Sequence, residues 1–420
     1  MRGASGGSIW GVDAMRKLLR HWGVRGGSPR ARGIGLLAAL LLALIAAAAF
    51  SRIPPDWYLK VLAPGWMPHQ LVKLIEYSND LQVALVAARP VDPHPRVAIV
   101  LIREDTLADL PYISPVDRAL LARIVSAIDT LGARAIGIDV LFDQATEPEK
   151  DRGLLAALSA RRAEIVLGGA DERSAMSQRR RTWQTQFLAE AGKPFGFFNL
   201  RYDVREAEQS YVVRARAAPL AGSAFARSFA EAVAGAMGVE QLPESRRIPW
   251  LAPPRSGGDT FVTLDAEAVL AADADPGGIL ARAVEPQLRG KAVLIGADLD
   301  RRDRHPTPLT LLNGEDMLGV AVHAQILAGL VDGRRIDDVG VVAQSVLGAL
   351  AAGMGFLTGW FAARRRLVMT ALVSIGTLAI IATSAFVLWQ SQAIVPLASL
   401  TATLIGTAIA GRLGRGWVGA

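Results

Sequence analysis

Charged side chains collect directly after the most apolar short runs of the chain. Ile102 closes one such run and leads into Arg103, Glu104 and Asp105; a second run holds Asp139 and passes on to Asp143; a third, ending at Gly296, is followed by Asp298 and then by Asp303, Arg304 and His305. Read as chemistry, Arg103 and Arg304 are the residues to hold an anion, because a guanidinium presents a fork of donors to a carboxylate or phosphate. Asp139, Asp143 and Asp303 are instead oxygen ligands of the kind that hold a hard cation. The same residues also have an architectural reading as helix caps and turn braces, with Asp139, Asp303 and Arg304 as a buried ion pair fixing two loops. On the sequence these readings stand side by side, and no residue is assigned to a metal.

Covalent chemistry is less well provided for. A hydrolase needs a nucleophile beside a base, and the five histidines are His21, His69, His94, His305 and His323, with no cysteine anywhere. No serine stands in a nucleophile elbow, and neither a phosphate-binding Gly-rich loop ending in Lys-Ser/Thr nor an H-E-x-x-H helix is found. Lack of cysteine removes disulfides, thiolate zinc sites and iron–sulfur clusters. His323, one turn into an apolar helix, reads as a hydrogen-bonded packing residue. Neither enzyme activity nor a cofactor is expected.

The elements that must position the charged set follow a regular rhythm. Residues 96–102 form a short β-branched run bounded by proline and charge, the mark of a strand buried on both faces. Apolar residues at Leu120, Leu121, Ile124, Val125, Ile128 and Leu131 have helical spacing, and Gly132 closes that helix. Strands over 134–142 and 164–168 flank a helix over 151–158. This alternation implies right-handed crossovers on a parallel sheet and an α/β fold. Further strands are expected at 194–200 and 211–216, read as an antiparallel addition, and at 290–296, with helices over 69–86, 223–237 and 319–330. Pro243, Pro249, Pro253 and Pro254 mark a loop-like stretch, and Ser174 to Arg181, with Arg179, Arg180 and Arg181, reads as a solvated face or mobile loop. Open sheets of this kind bind ligands beyond the carboxyl ends of their strands, where the charged set lies.

Four uncharged runs are long enough to cross a bilayer: 33–50, 339–363, 367–389 and 394–411. Seven basic residues and one acid precede the first, and Arg364 to Arg366, Arg412 and Arg415 flank the later ones. By the positive-inside rule these sit in the cytoplasm and the segment between the first two spans lies outside. The expected organisation is a basic cytoplasmic tail over 1–32, a span over 33–50, an extracytoplasmic domain over 51–338, three spans within 339–411 and a cytoplasmic tail over 412–420. A cleaved signal peptide is the rival reading of the first span, since Ala47-Ala48-Ala49 offers a cleavage site. The net charge of +7 on 420 residues divides accordingly: 51–338 holds 34 basic and 38 acidic residues. A pI near 10.0 therefore reports topology, and nucleic acid is not an expected partner.

Gly290–Ala297, then Asp303-Arg304-His305-Pro306-Thr307-Pro308-Leu309, then Gly319-Val-Ala-Val-His323-Ala324 and Leu327 to Ile336 together resemble the end of a type-2 CHASE domain. Residues 96–107, the helix from Arg118, Gly132 to Phe142 and Asp151 to Leu158 fit the earlier part. The resemblance runs from about 70 to 336. It implies an extracellular sensory domain of a bacterial receptor, with three membrane helices directly after it. Arg103 stands where the family tends to carry an acid, and Pro111 to Pro115 replaces its Trp- and Pro-rich step. Such receptors usually continue into a kinase or cyclase, whereas here the expected protein is a multi-pass inner-membrane sensor without its own output domain. Its expected partners are the lipid bilayer, an unidentified small-molecule or protein signal, a separate effector or membrane protein, and a second copy as a homodimer. An envelope scaffold whose outer domain binds another protein is the alternative.

Overall fold

The computed structural model describes residues 69–205, 210–299 and 303–418. The expected tail over 1–32 and span over 33–50 lie outside the described residues. The chain divides into two units, Asp80–Asp337 and, separately, Asp338–Ala420 with Met1–Asn79.

Helix α1 (His69–Val86) leads into the first unit. Its sheet is built from β1 (Val97–Arg103), β2 (Ala135–Ile138), β3 (Glu164–Gly169), β4 (Phe195–Phe197), β7 (Val262–Asp265) and β8 (Ala292–Asp298), in the order β4-β3-β2-β8-β1-β7 with every neighbouring pair parallel. Strands β1, β2, β3 and β8 are buried along nearly their whole length, which is why they read as unbroken apolar runs. The three clearest strands of the sequence are thus neighbours, β2-β8-β1, and their carboxyl ends share one edge. A separate antiparallel ribbon pairs β5 (Arg201–Arg205) with β6 (Ser210–Ala215). The antiparallel addition is therefore β5 and β6, while β4 joins the parallel sheet.

Helices cover both faces. The four-residue α2 (Glu104–Leu107), α3 (Arg118–Thr130), α4 (Pro148–Ser159), α5 (Gln178–Ala191), α6 (Phe229–Ala236), α7 (Ala266–Ala274), α8 (Ile279–Leu288), the short α9 (Thr310–Asn313) and α10 (Gly319–Val331) follow in chain order. Leu121, Ile124 and Ile128 of α3, Leu154 and Leu158 of α4, Val269 of α7 and Leu288 of α8 enter one core with β1 and β2. Helices α6 and α10 pack together and onto the sheet through α6's contacts with β2–β4 and α10's with β1 and β8. Two pieces of the chain, β9 (Arg304–His305) and β10 (Met317–Leu318), pair antiparallel and bring the loop after β8 to the start of α10.

Several boundaries differ from the sequence reading. β2 ends at Ile138, yet Val140 and Phe142 remain buried, because hydrophobic burial continues in an irregular segment after ladder pairing stops. The arginine run is no loop: residues 178–191 form a helix with Ser177 as its cap. The proline-marked region leads into β7, α7 and α8, none of which has enough apolar length to announce itself.

In the second unit, α11 (Val341–Phe361), α12 (Arg366–Ser391) and α13 (Leu397–Val418) are long and apolar enough to cross a membrane. Small residues let α11 and α13 approach closely: a Cβ on Gly359 would overlap the carbonyl of Ala408.

Candidate functional site

The ends of β1, β7 and β8 place Arg103, Asp265 and Asp298 side by side, since Arg103 is opposite Asp298 and Leu101 is opposite Asp265 in register. Arg103 Nε donates to Asp265 Oδ1, and its Nη1 lies 3.4 Å from Asp298 Oδ2. Arg304 Nη2 donates to both oxygens of Asp298 at 2.9 and 3.2 Å. The result is a ladder, Asp265–Arg103–Asp298–Arg304, lying across the edge of the sheet. The hydrogen bond that Arg103 donates to Asp265, with the charges of Asp265, Asp298 and Glu267, outweighs the cost of burial and holds the Arg103 guanidinium even further above neutrality than usual. Both arginines that the sequence offers to an anion are thus committed to carboxylates. Glu104 and Asp105 lie exposed in α2 beside this ladder.

A second group forms between β2, the β9 loop and the start of α10. Asp303 accepts from Gly319 N through its backbone carbonyl at 3.0 Å, and its carboxylate lies so close to Gly319 that any Cβ there would overlap it. Glycine at the first position of α10 permits that approach; a larger residue there would displace the Asp303 carboxylate. The Asp303 carboxylate is 2.8 Å from His305 Nε2, and His305 Nδ1 is 3.0 Å from the Tyr202 hydroxyl. Burial tends to raise the Asp303 pKa, but the His305 hydrogen bond, the charges of His305 and His323, and the Gly319 amide together lower it. Tyr202 shifts the other way, pushed up by burial and by the Asp303 charge.

Asp139 directly follows β2. Its backbone N–H donates to Ile295 O at 2.8 Å, so the sheet ladder fixes its position, while its carboxyl has no hydrogen-bond partner among the described residues. Part of its surface still meets solvent, but dense protein walls it in. This burial, helped by the negative charge of Asp303, pushes its pKa to about 8. At neutral pH Asp139 is then a protonated acid that can donate, beside an ionised Asp303 that can only accept. His323 lies one turn into α10 and is 4% exposed. Its ring meets Phe229 edge-on at 5.4 Å and it bonds to the backbone of Phe198, but Nδ1 has no partner. Burial lowers its pKa to about 4, against the attraction of Asp303 and with the repulsion of His305. The packing role read for His323 is therefore half of the picture, because one ring nitrogen remains free.

The structure brings Asp139, Asp303 and His305 together, ties Arg103 to Arg304 through Asp298, and directs Asp143 elsewhere. Asp143 is 3% exposed and pairs with Arg180 of α5. Its charge also acts on the buried Arg118. Among the described residues no three His, Asp or Glu side chains are grouped so as to hold a metal ion, so Asp139, Asp143 and Asp303 do not form the cation site that their types allowed. Asp265, Tyr202 and the free nitrogen of His323 join the group without having been singled out as a site. Asp265 at the end of a short strand carries the same signal as Asp298, an acid closing an apolar run, but β7 is too brief to be read. Tyr202 gives no such signal, since only the ribbon's fold brings it to His305.

A family model described as the CHASE2 domain matches residues 57–361. No curated protein and no solved structure matches the chain.

Proposed function

Because the chain belongs to the CHASE2 domain family, a family of extracellular sensory domains, we propose that it is a sensor of the bacterial inner membrane that acts through a partner chain. The carrying observation is the sequence of parts: a sensory domain followed at once by three helices of membrane-spanning length. Arg364, Arg365, Arg366, Arg412 and Arg415 beside those helices support a cytoplasmic location for their flanks. The domain is then on the far side, with a span over 33–50 preceding it.

The Asp139–Asp303–His305–His323 group is read as a receptor for a polar signal and not as a catalytic centre. Helix α10 supplies the connection. It starts beneath the Asp303 carboxylate and its 13 residues rise about 20 Å to Asp332, shortly before the chain enters the membrane helices. At that end Asp332 accepts from His94 Nε2 at 3.1 Å, Arg96 at 2.9 Å and Arg334 at 3.2 Å. A ligand that binds one position of α10 better than another would shift the population of arrangements of the helices that follow it in the chain. Fusions of a periplasm-dependent reporter after residue 338 and of a cytoplasm-dependent reporter after residue 415 test the topology, each active only in its own compartment. Purification of the full chain from detergent tests the partner: a second membrane or effector protein should accompany it, and a chain that is always alone and monomeric overturns this reading.

A further inference from the structure

Of Arg179, Arg180 and Arg181, Arg180 alone enters a contact described above, as the partner of Asp143. All three occupy the first turn of α5, a 14-residue helix without an acid in that turn. Basic residues at this end oppose the helix dipole, whose positive pole lies there. Three in succession add to the positive pole and make the field at this end strongly electropositive.

That field borders a cleft of about 660 Å³, formed by the loop after β2 and the first turns of α5 and lined by Asp143, Gln144, Gln178, Arg179, Arg180 and Trp183 among others. Its size is in the usual range for organic ligands, about 300–1,000 Å³. The neighbouring carboxylates each face a basic or donor group, although Asp143 Oδ2 meets Arg180 as an ion pair without a hydrogen bond. Asp117 and Glu147 accept from Lys150 at 2.6 and 2.8 Å. Asp151 accepts from Thr146 N and Oγ1 at 3.0 and 2.8 Å and lies 3.7 Å from Arg118. Arg179 has no acidic partner among the described residues, and Asp143 is the one acid in the cleft's lining. Positive charge is left over.

Donors are also left over. The indole Nε1 of Trp183, in the lining, is buried with no acceptor. Arg118 is 1% exposed, stacks over the Phe142 ring at 4.6 Å on the inner side of the Asp143 loop, and makes no hydrogen bond from Nε, Nη1 or Nη2. Buried donors of this kind are normally satisfied; an acceptor-rich guest in the cleft supplies what the indole lacks, while Arg118 lies behind the lining and acts on the cleft through its charge. Glutamine amides in the wall suit a guest that also carries hydroxyl or carbonyl groups.

We propose that this cleft between the β2–α4 loop and α5 binds a polar organic anion carrying a phosphate or carboxylate group. The arginines at the mouth provide charge and forked donors, and the indole N–H provides a fixed inner donor. Binding here does not depend on the sensor reading and stands if that reading fails.

Calorimetry on the full chain in phosphatidylcholine nanodiscs, at low ionic strength, tests it with inorganic phosphate, glycerol 3-phosphate and citrate as probes. At least one should bind saturably and one-to-one, more weakly as salt is added, and should slow hydrogen exchange in 143–145 and 178–186. Phosphate compounds alone, citrate alone, or both identify the preferred head group. Arg179→Gln removes a charge and Gln186→Glu adds an opposing one. Both positions are exposed, and each variant should weaken binding at least fivefold with thermal unfolding unchanged. No saturable binding by any probe, affinity unaltered in both variants, or protection confined to other segments overturns the proposal.

Discussion

Among the described residues two arginines of the α/β domain are taken out of water almost completely, and the protein treats them in opposite ways. Arg216 is 4% exposed, pairs with Glu231 through Nη1 and donates through Nη2 to the carbonyls of Pro243 at 2.9 Å and Ser245 at 2.8 Å. Glu231 is in turn held by the capping box of α6, where Ser228 N donates to it at 3.0 Å. Arg118 is buried even more completely, yet it faces Asp151 at 3.7 Å and an aromatic ring, and none of its nitrogens makes a hydrogen bond. Burial lowers the pKa of both, opposed by Glu231 in one case and by Asp151 and Asp143 in the other. The first is a closed structural network. The second is an open one, and open buried polar groups mark where a fold has reserved capacity for something else.

Breaking the closed network should have the largest effect. Glu231→Ala strands the Arg216 charge and removes the side-chain arm of the α6 capping box, leaving the Ser228 cap in place, so stability should fall by about 3–5 kcal/mol. Denaturant unfolding of the full chain in detergent measures this. A loss below about 1 kcal/mol would show that Arg216 is not held as described.

Among the described residues the Asp139 carboxyl and one ring nitrogen of His323 lack hydrogen-bond partners, as the Arg118 nitrogens do, but these two residues can escape by becoming neutral. Asp139, with its native pKa at about 8 against an ordinary value near 4, binds its proton more tightly when folded. Its contribution is thus fully present below the unfolded value and is lost as pH rises toward 8. Relative to the wild type, Asp139→Asn should gain about 1–3 kcal/mol between pH 4 and 8, read from thermal unfolding across that range. A difference independent of pH would mean that Asp139 is ionised throughout.

These outcomes also show what the sequence could and could not reveal. Asp139, Asp298 and Asp303 were visible because each closes or follows a buried apolar run, and the parallel rhythm of β1, β2 and β8 was enough to place them on one edge. Pairing was not visible. Whether Arg304 turns to Asp298 or to Asp303 depends on the β9–β10 pairing, a two-residue contact that leaves no periodic trace. Asp143 follows Asp139 closely in the chain, but the buried irregular segment through Phe142 turns it toward α5. Arg179 and Arg180 of that helix are exposed, as the solvated-face reading expects, but the helix itself was not visible because charge at a helix start has no apolar period to betray it. Tyr202 and Asp265 come from short strands whose neighbours are fixed only by the completed sheet and ribbon.

His323 carries the opposite sign to Asp139. Its native pKa of about 4 lies below the ordinary value of about 6.5, so the unfolded chain takes up the proton first and stability is lost as pH falls from about 6.5 to 4. The expected loss from this residue is about 1–2 kcal/mol. His323→Asn should be flatter than the wild type over that interval, and an unchanged slope would show that the buried ring is already protonated. Measured in an Asp139→Asn background, the effect is free of the opposing titration.

Arg118 cannot take that route, since a guanidinium does not deprotonate in the accessible range. Its burial therefore has little to lose: no hydrogen bond is broken on its removal, and Asp151 and Asp143 keep Thr146 and Arg180 as partners. Arg118→Met retains the apolar stem against Phe142 and should change stability by less than about 1 kcal/mol, the smallest effect of the four. The contrast with Glu231→Ala is the sharpest test of the difference between the two arginines. If Arg118→Met costs as much as breaking the Arg216 network, the guanidinium is structural and the unmet donors are not reserved capacity. If stability holds while phosphate or citrate binding at the α5 cleft weakens, the buried charge serves the ligand and not the fold.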